Sequence, residues 1–283
     1  MSESVDDIRR RVGTAQDNYK SNLITIEGIL QKERGYVSRI PEGEPVIALY
    51  SGGMDSTVMI NKVIEEWDVD VFPFFVKRGA RAEAYEETAF DYFEEFYQSR
   101  FPRKMCKGAK LEMEIPPSQF KRYFPTELSL TVGHPLRNST MANLAVMYAV
   151  ALNGELGTDI KTILVASVRD DNTEPELGPL SLRSNTLNTC IQMGDWSWQV
   201  ISPFTDLKLV EKPLEKVDLL RYAISNAIPL EKTRTCFSAD ELADGSCFAC
   251  EKRLRAFELA GIEDPAEYNP GFHREIRDRR GGC

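Results

Sequence analysis

The sequence has no apolar run long enough to cross a membrane, and its first residues lack the apolar core of a secretory signal. It has only two histidines, His134 and His273, which argues against a histidine-based catalytic triad and against a histidine-rich metal site. Basic residues are in the minority, with 35 Lys and Arg against 44 Asp and Glu and a net charge of -9. Because binding to phosphate backbones depends on basic surface, we expect no bulk binding of DNA or RNA. These absences predict a cytoplasmic protein without a membrane partner.

Cysteine occurs six times, and in a reducing compartment metal binding or catalysis explains cysteines better than disulfides do. Cys236, Cys247 and Cys250 form a C-x10-C-x2-C pattern. Two cysteines separated by two residues, at the start of a helix, bring both sulfur atoms towards one ion, and zinc is bound tetrahedrally by thiolates. The pattern predicts a zinc site, with three buried and unpaired cysteines as the alternative.

Short apolar runs alternate with amphipathic segments through most of the chain. Strands alternating with helices are typical of an α/β fold with a parallel twisted sheet and helices on both faces. We predict a helical extension over residues 1–44, a nucleotide-binding α/β domain over 45–230 and a cysteine-containing region with a tail over 231–283. A helix after the last strand is predicted to carry Pro213 in its first turn. The predicted strands are 46–50, 70–76, 109–115, 160–167 and 199–204.

The segment LYSGGMDSTVM, residues 49–59, joins a predicted strand to a predicted helix. Gly52 and Gly53 allow the backbone to approach a ligand closely. The unpaired amides and the dipole of a helix start favour an anion at this place. The segment therefore predicts a pyrophosphate site, with an ordinary turn capped by polar side chains as the alternative. Its spacing is neither that of a Walker loop nor G-x-G-x-x-G. Hydroxyl and carboxylate groups are supplied by Ser51, Asp55, Ser56 and Thr57.

The pattern S-G-G-x-D-S resembles the signature of the PP-loop ATP pyrophosphatases, which split ATP between the α and β phosphates to adenylate a substrate. With the ending TRTC…CFACEKRLRAFELAGI, the chain resembles one branch of that family, the 7-cyano-7-deazaguanine synthases of the queuosine and archaeosine pathways. An Arg137–Asn138 pair at the head of a middle helix and Lys216 after the last strand match further family positions. The resemblance covers about residues 46–262.

The resemblance implies an adenine nucleotide α-hydrolase-like, Rossmann-like fold with a C-terminal zinc-binding loop and helix, and ATP, Mg²⁺ and Zn²⁺ as cofactors. It implies that a 7-carboxy-7-deazaguanine carboxylate is adenylated, that ammonia displaces AMP to give an amide, and that a second adenylation leads to the nitrile. The implied catalytic residues are Ser51, Asp55, Ser56 and Lys216. The implied nucleotide-binding residues are Tyr50, Ser51, Gly52, Gly53, Met54, Asp55, Ser56, Thr57, Arg137 and Asn138. The implied metal ligands are Cys236, Cys247, Cys250 and Cys283.

The sequence departs from the family at the metal site. The family's fourth cysteine is expected three residues after Cys250, where this chain has Arg253. Cys283 is the main candidate to replace it, with Cys190 and His273 as lesser ones. A terminal cysteine without a role and a chain without zinc are the alternatives.

The sequence also departs from the family after the fourth strand, where the Y-P-D-C-R-type segment that meets the deazaguanine is missing. Asp170, Asp171 and Glu174 are candidates to accept hydrogen bonds from a guanine-like edge, and Arg183 is a candidate to meet a carboxylate. Each of these residues is otherwise a solvated loop charge.

An intact nucleotide loop and an altered substrate loop leave several functions open. The first is an adenylate-forming ligase that acts on a deazaguanine-type acid with ammonia, or that serves bacterial antiviral defence and passes the acid to a protein or another amine. The second is tRNA thiolation, against which the acidity of the chain argues. The third is a nucleotide-binding subunit that has lost catalysis. A partner protein and a homodimer are further expectations.

Overall fold

Five parallel strands form a single sheet in the part of the chain that the structure, a computed structural model, describes: residues 19–124, 134–171 and 175–270. The strand order is β3-β2-β1-β4-β5, and all neighbours pair in parallel. This confirms the predicted parallel α/β fold. The strands are β1 (Pro45–Leu49), β2 (Asp70–Lys77), β3 (Ala109–Glu112), β4 (Thr162–Leu164) and β5 (Gln199–Ile201).

Eight α-helices accompany the sheet within these described ranges, and short 3-10 turns occur at Arg169–Asp171 and Leu230–Lys232. None of these helices combines the length and the apolar character that crossing a membrane requires. The helices are α1 (Tyr19–Arg34), α2 (Met54–Trp67), α3 (Glu83–Arg100), α4 (Ser118–Lys121), α5 (Arg137–Leu156), α6 (Pro179–Met193), α7 (Lys216–Ser225) and α8 (Phe248–Ala260).

Both faces of the sheet are covered at its centre, which explains why β1 and β4 are almost continuously buried, whereas the edge strand β3 alternates between half-buried and exposed residues. Val46 and Ala48 of β1 point into one core, which they share with α2, α3 and α7. Ile47, between them, points into the opposite core, which contains α5 and α6. Successive residues of a strand alternate between the two faces, so one short strand contributes to both cores.

The strand order creates the crevice that the site occupies. The chain moves from β1 outward to β2 and β3, and then returns to the other side of β1 to form β4 and β5. The loops that leave β1 and β4 therefore diverge to opposite sides of the sheet. In open α/β sheets, ligands bind in the crevice at the carboxyl ends of such neighbouring strands.

The α1 helix of the N-terminal extension packs against α6. At one end, the hydroxyl of Tyr19 accepts a 2.9 Å hydrogen bond from the backbone N–H of Leu180, in the first turn of α6. At the other end, Arg34 donates to the carbonyls of Trp196 and Trp198, at 3.3 and 2.6 Å. The described part of the extension therefore includes a helix that is fixed at one end to the first turn of α6 and at the other end to the segment between α6 and β5.

The start of α7 differs from the sequence prediction. Pro213 precedes the helix instead of lying in its first turn, so that prediction is wrong. Glu215 is the N-cap, and it forms a capping box with Asp218 in which each side chain accepts a backbone N–H of the other residue. The capping box, rather than the proline, fixes where α7 begins and hence where Lys216 lies.

Arg183 lies in the interior and not at the substrate crevice, contrary to the proposed role of meeting a carboxylate ligand. Its guanidinium donates to both oxygens of Asp206, at 2.8 and 2.6 Å, and to Glu27 of α1 at 3.1 Å. The side chains of Arg183 and Asp206 are only 4% and 1% exposed. Burial alone would raise the pKa of Asp206, but the hydrogen bonds and charge of Arg183 outweigh it and hold that pKa below its ordinary value.

We predict that Arg183→Met lowers the free energy of unfolding by about 3–5 kcal/mol, because it leaves Asp206 buried without a cation. The measurement is urea unfolding at neutral pH. Arg169→Met is the matched control, since Arg169 pairs with Glu215 at 3.0 Å but is 62% exposed, and we expect a change within about 0.5 kcal/mol.

The same pair predicts an acid dependence. The pKa of Asp206 is lower in the folded chain than in the unfolded chain. The ionised carboxylate therefore contributes fully to the free energy of unfolding above the unfolded pKa, and this contribution is lost as the pH falls through the folded pKa. The stability difference between the parent chain and Arg183→Met should therefore shrink in acid. Equal losses for Arg183→Met and Arg169→Met at neutral pH would contradict this account.

Candidate functional site

The loop between β1 and α2 is shaped by two glycines. Gly53 is the N-cap of α2, and no side chain caps the helix, so its first-turn amides are available to a ligand. Gly52 has a φ of +68°, and a Cβ there would lie 2.8 Å from both the carbonyl oxygen of Glu86 and the N atom of Phe90. A side chain at this position would meet both backbone strain and the surface of α3. The loop is therefore pressed against α3, with its amides turned to the crevice.

Two hydroxyls lie at the mouth of this loop. The Oγ atoms of Ser51 and Ser56 are 3.3 Å apart, and Ser56 donates to the carbonyl of Gly53 at 3.1 Å. The N–H of Gly53 points to the Oγ of Ser51 at 3.4 Å. These contacts are long, and they leave a set of hydroxyl and amide donors facing one small volume. Such a set suits the oxygens of a phosphate.

Tyr50 and Thr57 lie beneath the loop rather than at its mouth. Their hydroxyls are 3.1 Å apart, and Tyr97 donates to the carbonyl of Thr57 at 2.8 Å. Burial raises the pKa of Tyr50, so this phenol stays protonated. Met54 is buried in the core that covers this face of the sheet. These side chains support the loop from below, and what their residues offer a nucleotide is mainly backbone.

A lysine and an aspartate from distant parts of the chain meet at the loop. Lys216, the first residue of α7, contacts Oδ2 of Asp55 on α2 and lies 4.0 Å from Asp171. Burial raises the pKa of Asp55, and the charge of Lys216 opposes that rise. Burial disfavours the charge on Lys216, but the two carboxylates outweigh it and its pKa is raised. The Oδ1 atom of Asp55 is buried and has no hydrogen-bond partner among the described residues.

The alternation of acids and amines continues to the C-terminal helix. Lys252 of α8 donates to Asp171 at 2.9 Å, and Asp170 accepts the backbone N–H of Lys216 at 2.9 Å. Asp170 and Asp171 thus hold the two lysines of the site, a role that the sequence analysis did not foresee. Glu174, the third acidic candidate, lies outside the described residues.

The opposite wall is formed by the head of α5. Arg137 pairs with Glu176 at 2.9 Å, and the backbone N–H of Asn138 donates to the same carboxylate at 3.2 Å. The side-chain nitrogen of Asn138 is buried and unpartnered within the described ranges. Sequence reasoning missed Glu176, because only its low exposure and its contacts distinguish it from the other acids of this loop.

Together these groups line a cavity of about 680 Å³, a volume typical of small-molecule sites. Arg78 and Glu86, which pair at 3.2 Å, contribute a further charged edge. The C-terminal region closes the cavity on the remaining side. Its lining residues there are Arg234, Thr235, Phe237, Phe248, Ala249, Lys252 and Arg253.

A cluster of three cysteines and one aspartate lies behind this side of the cavity. One ligand atom from each of Cys236, Asp244, Cys247 and Cys250 falls within 4.8 Å of all the others. The sulfur of Cys236 accepts backbone N–H groups from Ser238 and Asp244, at 3.3 and 3.2 Å. A hydrogen bond between the other two thiols lowers the pKa of Cys247 and raises that of Cys250. This donor set could hold a metal ion.

Comparison with known proteins identifies the family. A family model described as "Queuosine biosynthesis protein QueC" matches residues 45–261, most of the chain. The chain belongs to the QueC family. This confirms the family resemblance seen in the sequence, and the QueC match begins at β1 and ends just after α8, so that α1 lies outside it.

Several curated relatives of this QueC chain are named 7-cyano-7-deazaguanine synthase. The protein from Pseudoalteromonas translucida (strain TAC 125) is 26% identical over 80% of this chain and 99% of its own length. The Thermoplasma acidophilum protein is 27% identical over 84% of this chain and 99% of its own length. The Koribacter versatilis protein is 28% identical over 83% of this chain and 97% of its own length. Identity at this level supports a divergent member of an enzyme family. A solved structure, the U34-tRNA thiolase NcsA from Methanococcus maripaludis with its 4Fe-4S cluster, also matches. The match covers 85% of this chain and 72% of the thiolase, with 14% sequence identity. Its TM-score of 0.38 is too low for an argument about this chain.

The cysteine cluster of this QueC chain offers a fourth candidate ligand that the sequence analysis did not name. Asp244 joins the three cysteines, in the spacing D-x2-C-x2-C that ends at Cys250. Arg253 is instead bound to Asp264 at 2.7 and 2.9 Å and to the hydroxyl of Thr233 at 2.7 Å. It is 2% exposed and holds α8 to the segment before the cluster. The sequence did contain a signal for Asp244, because Asp244, Cys247 and Cys250 follow one another at intervals of three residues.

The other candidate ligands are not part of this described cluster. Cys190, on α6, lies in the core that this helix shares with α5, where its sulfur donates to the carbonyl of Trp198 at 3.2 Å. Cys283 and His273 lie outside the described residues, so the prediction for Cys283 stays a prediction.

Arg234 connects the cysteine loop with the nucleotide loop. Its backbone N–H donates to the carbonyl of Gly52 at 3.0 Å. Its guanidinium donates to the carbonyls of Ser238, Asp240 and Glu241, at 2.7, 2.7 and 2.8 Å. These carbonyls belong to the loop between Cys236 and Asp244. One residue therefore holds both walls of the cavity in register.

We predict that Gly52→Ala lowers the free energy of unfolding by about 2–3 kcal/mol and removes ATP binding, because the new methyl group meets the backbone of α3 at a positive φ. Gly28→Ala is the matched control. Gly28 lies inside α1 with nothing within 4 Å of a Cβ, so alanine there should stabilise by about 0.5–1 kcal/mol. Urea unfolding and ATP titration make the measurement, and a Gly52→Ala variant as stable as the parent would contradict the packing argument.

Proposed function

We propose that this QueC chain uses ATP to activate the carboxylate of 7-carboxy-7-deazaguanine, or a closely related acid, and transfers the activated carbonyl to ammonia. The observation that carries the proposal is the contact of Asp55 and Lys216 at the mouth of an uncapped glycine loop. A cation, an unpartnered carboxylate oxygen and a set of hydroxyl and amide donors converge there, and a nucleoside triphosphate with its cation requires such groups. The names of the curated relatives support the choice of substrate.

The Ser51 and Ser56 hydroxyls and the first amides of α2 would bind the oxygens of the phosphates that leave as pyrophosphate. Lys216 would supply positive charge to the α-phosphate region, where negative charge accumulates during transfer. Because Lys216 is held by carboxylates on both sides, its raised pKa keeps it protonated throughout the physiological range. The protein thus contributes fixed charges and positions, which is the main requirement of phosphoryl and nucleotidyl transfer.

The residues present fit a magnesium ion. Oδ1 of Asp55 is a buried oxygen without a partner, and Asp171 lies on the other side of Lys216. Mg²⁺ prefers carboxylate oxygens together with water and phosphate oxygens. We propose that Asp55 and Asp171 hold it, and that the bound ion neutralises phosphate charge. Engagement of these carboxylates would also release the charge of the two lysines towards substrate anions.

The reaction balances in two rounds. A carboxylate oxygen attacks the α-phosphorus of ATP, the bond to the β-phosphate oxygen breaks, and pyrophosphate leaves. Ammonia then attacks the acyl carbon, loses a proton, and displaces AMP to leave the amide. In the second round the amide oxygen attacks another ATP and pyrophosphate leaves; loss of the N–H protons and of AMP gives the nitrile. An amide consumes one ATP and a nitrile consumes two.

We propose Zn²⁺ as the ion of the cysteine cluster, held by Cys236, Asp244, Cys247 and Cys250. Three soft thiolate donors and one carboxylate fit zinc better than a hard cation. The bound ion would fix a loop that contributes little to the two main cores of the sheet, since the cluster forms a small core of its own. Its role in this chain is structural support of one cavity wall.

The activity prediction is acid-dependent release of AMP and pyrophosphate from ATP and Mg²⁺ with 7-carboxy-7-deazaguanine, and an amide or nitrile when ammonium is present. Products are resolved by mass spectrometry. Lys216→Ala should lower the rate by about 10²–10³-fold, because it removes a fixed charge at the transferred phosphate. Lys212→Ala, four residues earlier and on the exposed surface, is the matched control and should leave the rate unchanged.

The products separate the alternatives. AMP without amide or nitrile would mean that another amine or a partner protein accepts the activated acid. ATP cleavage that ignores the acid, or ADP as the product, would contradict the proposed function.

The metal prediction concerns the fourth ligand. Asp244→Ala and Cys250→Ser should lower both the zinc content per chain and the melting temperature, and Cys106→Ser should change neither, since Cys106 lies outside the cluster. Asp244→Cys should retain zinc. Elemental analysis and thermal unfolding make the measurement. Loss of zinc in Cys283→Ser, with zinc retained in Asp244→Ala, would instead assign the fourth position to the terminal cysteine.

A further inference from the structure

We infer that Phe237 and Phe248 form a stacking platform that binds the planar ring of the acid substrate and makes this site specific for heteroaromatic acids. The inference rests on the proposed function and names two residues that recognise the substrate's ring. The first observation is that two large aromatic side chains at the cavity are exposed to solvent. Phe237 is 48% exposed and Phe248 is 55% exposed. Of the large, exposed apolar side chains in the described part of the chain, only these two line the cavity.

The two rings differ from the other aromatic side chains of the cavity. Tyr50, Phe74 and Phe75 also line it, but each is buried and packs against another ring of the core. No aromatic ring of the described residues stacks on Phe237 or on Phe248. Two rings that stay exposed to water do not gain the free energy of burying their apolar surface. A ligand that stacks on them would remove this surface from water.

The cysteine cluster determines where these rings lie. Phe237 directly follows Cys236, and Phe248 directly follows Cys247. The backbone on one side of each ring is therefore fixed by a residue of the proposed metal site. Besides supporting one cavity wall, the cysteine loop therefore presents two aromatic side chains to the cavity. A rigid aromatic residue gives contact area at a low cost in side-chain entropy.

The charges around the platform define the kind of ring that fits. Lys252 lies over the ring of Phe248, with its Nζ 4.3 Å from the centroid, and the same amine contacts Asp171 at 2.9 Å. A planar ring that stacks on the open part of Phe248 would thus have an ammonium and a carboxylate at its edge. The ammonium suits an acid group on the ring. The Oδ1 atom of Asp171, which contacts Lys252, suits N–H donors, while Oδ2, on the side of Lys216, is left for the proposed cation. A heteroaromatic acid with N–H groups has this combination, and an aliphatic acid does not.

The test is the affinity for 7-carboxy-7-deazaguanine, measured by calorimetry with a non-cleavable ATP analogue present. Phe237→Ala and Phe248→Ala should each raise the Kd for the acid about tenfold or more, as expected when a base loses a stacking partner. Phe248→Tyr should restore the affinity, because it keeps the ring. Phe248→Leu should not, because it keeps only apolar contact. The Kd for the ATP analogue and the zinc content should stay unchanged in all four variants.

Phe120→Ala is the matched control, since Phe120 is 56% exposed but does not line the cavity. Acid affinities in Phe237→Ala and Phe248→Ala equal to that of Phe120→Ala would overturn the platform while leaving the proposed function intact. The platform would also be overturned by full recovery in Phe248→Leu. A parent chain that binds the ATP analogue but not the acid would instead overturn the proposed substrate, and the platform with it.

Discussion

The partly buried contact between Asp55 and Lys216 is the interaction on which the site depends. Its partners are 161 residues apart, yet each lies in the first turn of the helix that comes next after a strand, α2 after β1 and α7 after β5. Neither charge could remain buried alone without a cost of several kcal/mol, so the pair requires β1, β5 and the two helices to keep their relative positions. The crevice at the change of strand order brings these helix starts together. The charges that we propose for catalysis are thus linked to the fold through one contact.

Much of the fold could be predicted because its signals are local. The glycine loop at 49–59 lies between a buried strand and an amphipathic helix, and each of these features is visible within about ten residues. The spacing of Cys247 and Cys250 is equally local. The first three strands begin within one residue of their predicted starts, although β3 ends at Glu112, three residues before its predicted end. The strands β4 and β5 are only three residues long, because their apolar runs continue as irregular buried segments.

The roles of several charged residues could not be predicted, because these roles depend on partners that are distant in the sequence. Glu176 and Arg183 are charged residues in polar segments, and no feature of the neighbouring residues shows whether such a charge is buried or solvated. Glu176 lies 39 residues from Arg137, and Arg183 lies 156 residues from Glu27. Arg253 occupies the place where a zinc cysteine was expected, but in the fold it pairs with Asp264. The carboxylate that lies among the three cysteines is that of Asp244, on the other side of the cysteine pair.

The cysteine cluster is connected to the glycine loop between β1 and α2 through Arg234. Arg234 donates its guanidinium hydrogens to the carbonyls of the cysteine loop and its backbone N–H to Gly52. A loop held by a metal keeps those carbonyls in place, and a loop without it does not, because few apolar contacts hold this segment. Any ligand that orders the cysteine loop therefore also orders the carbonyl of Gly52, in the turn for which we propose phosphate binding. If a metal ion at the cluster strengthens nucleotide binding in this way, thermodynamic reciprocity requires that the nucleotide strengthens metal binding by the same factor.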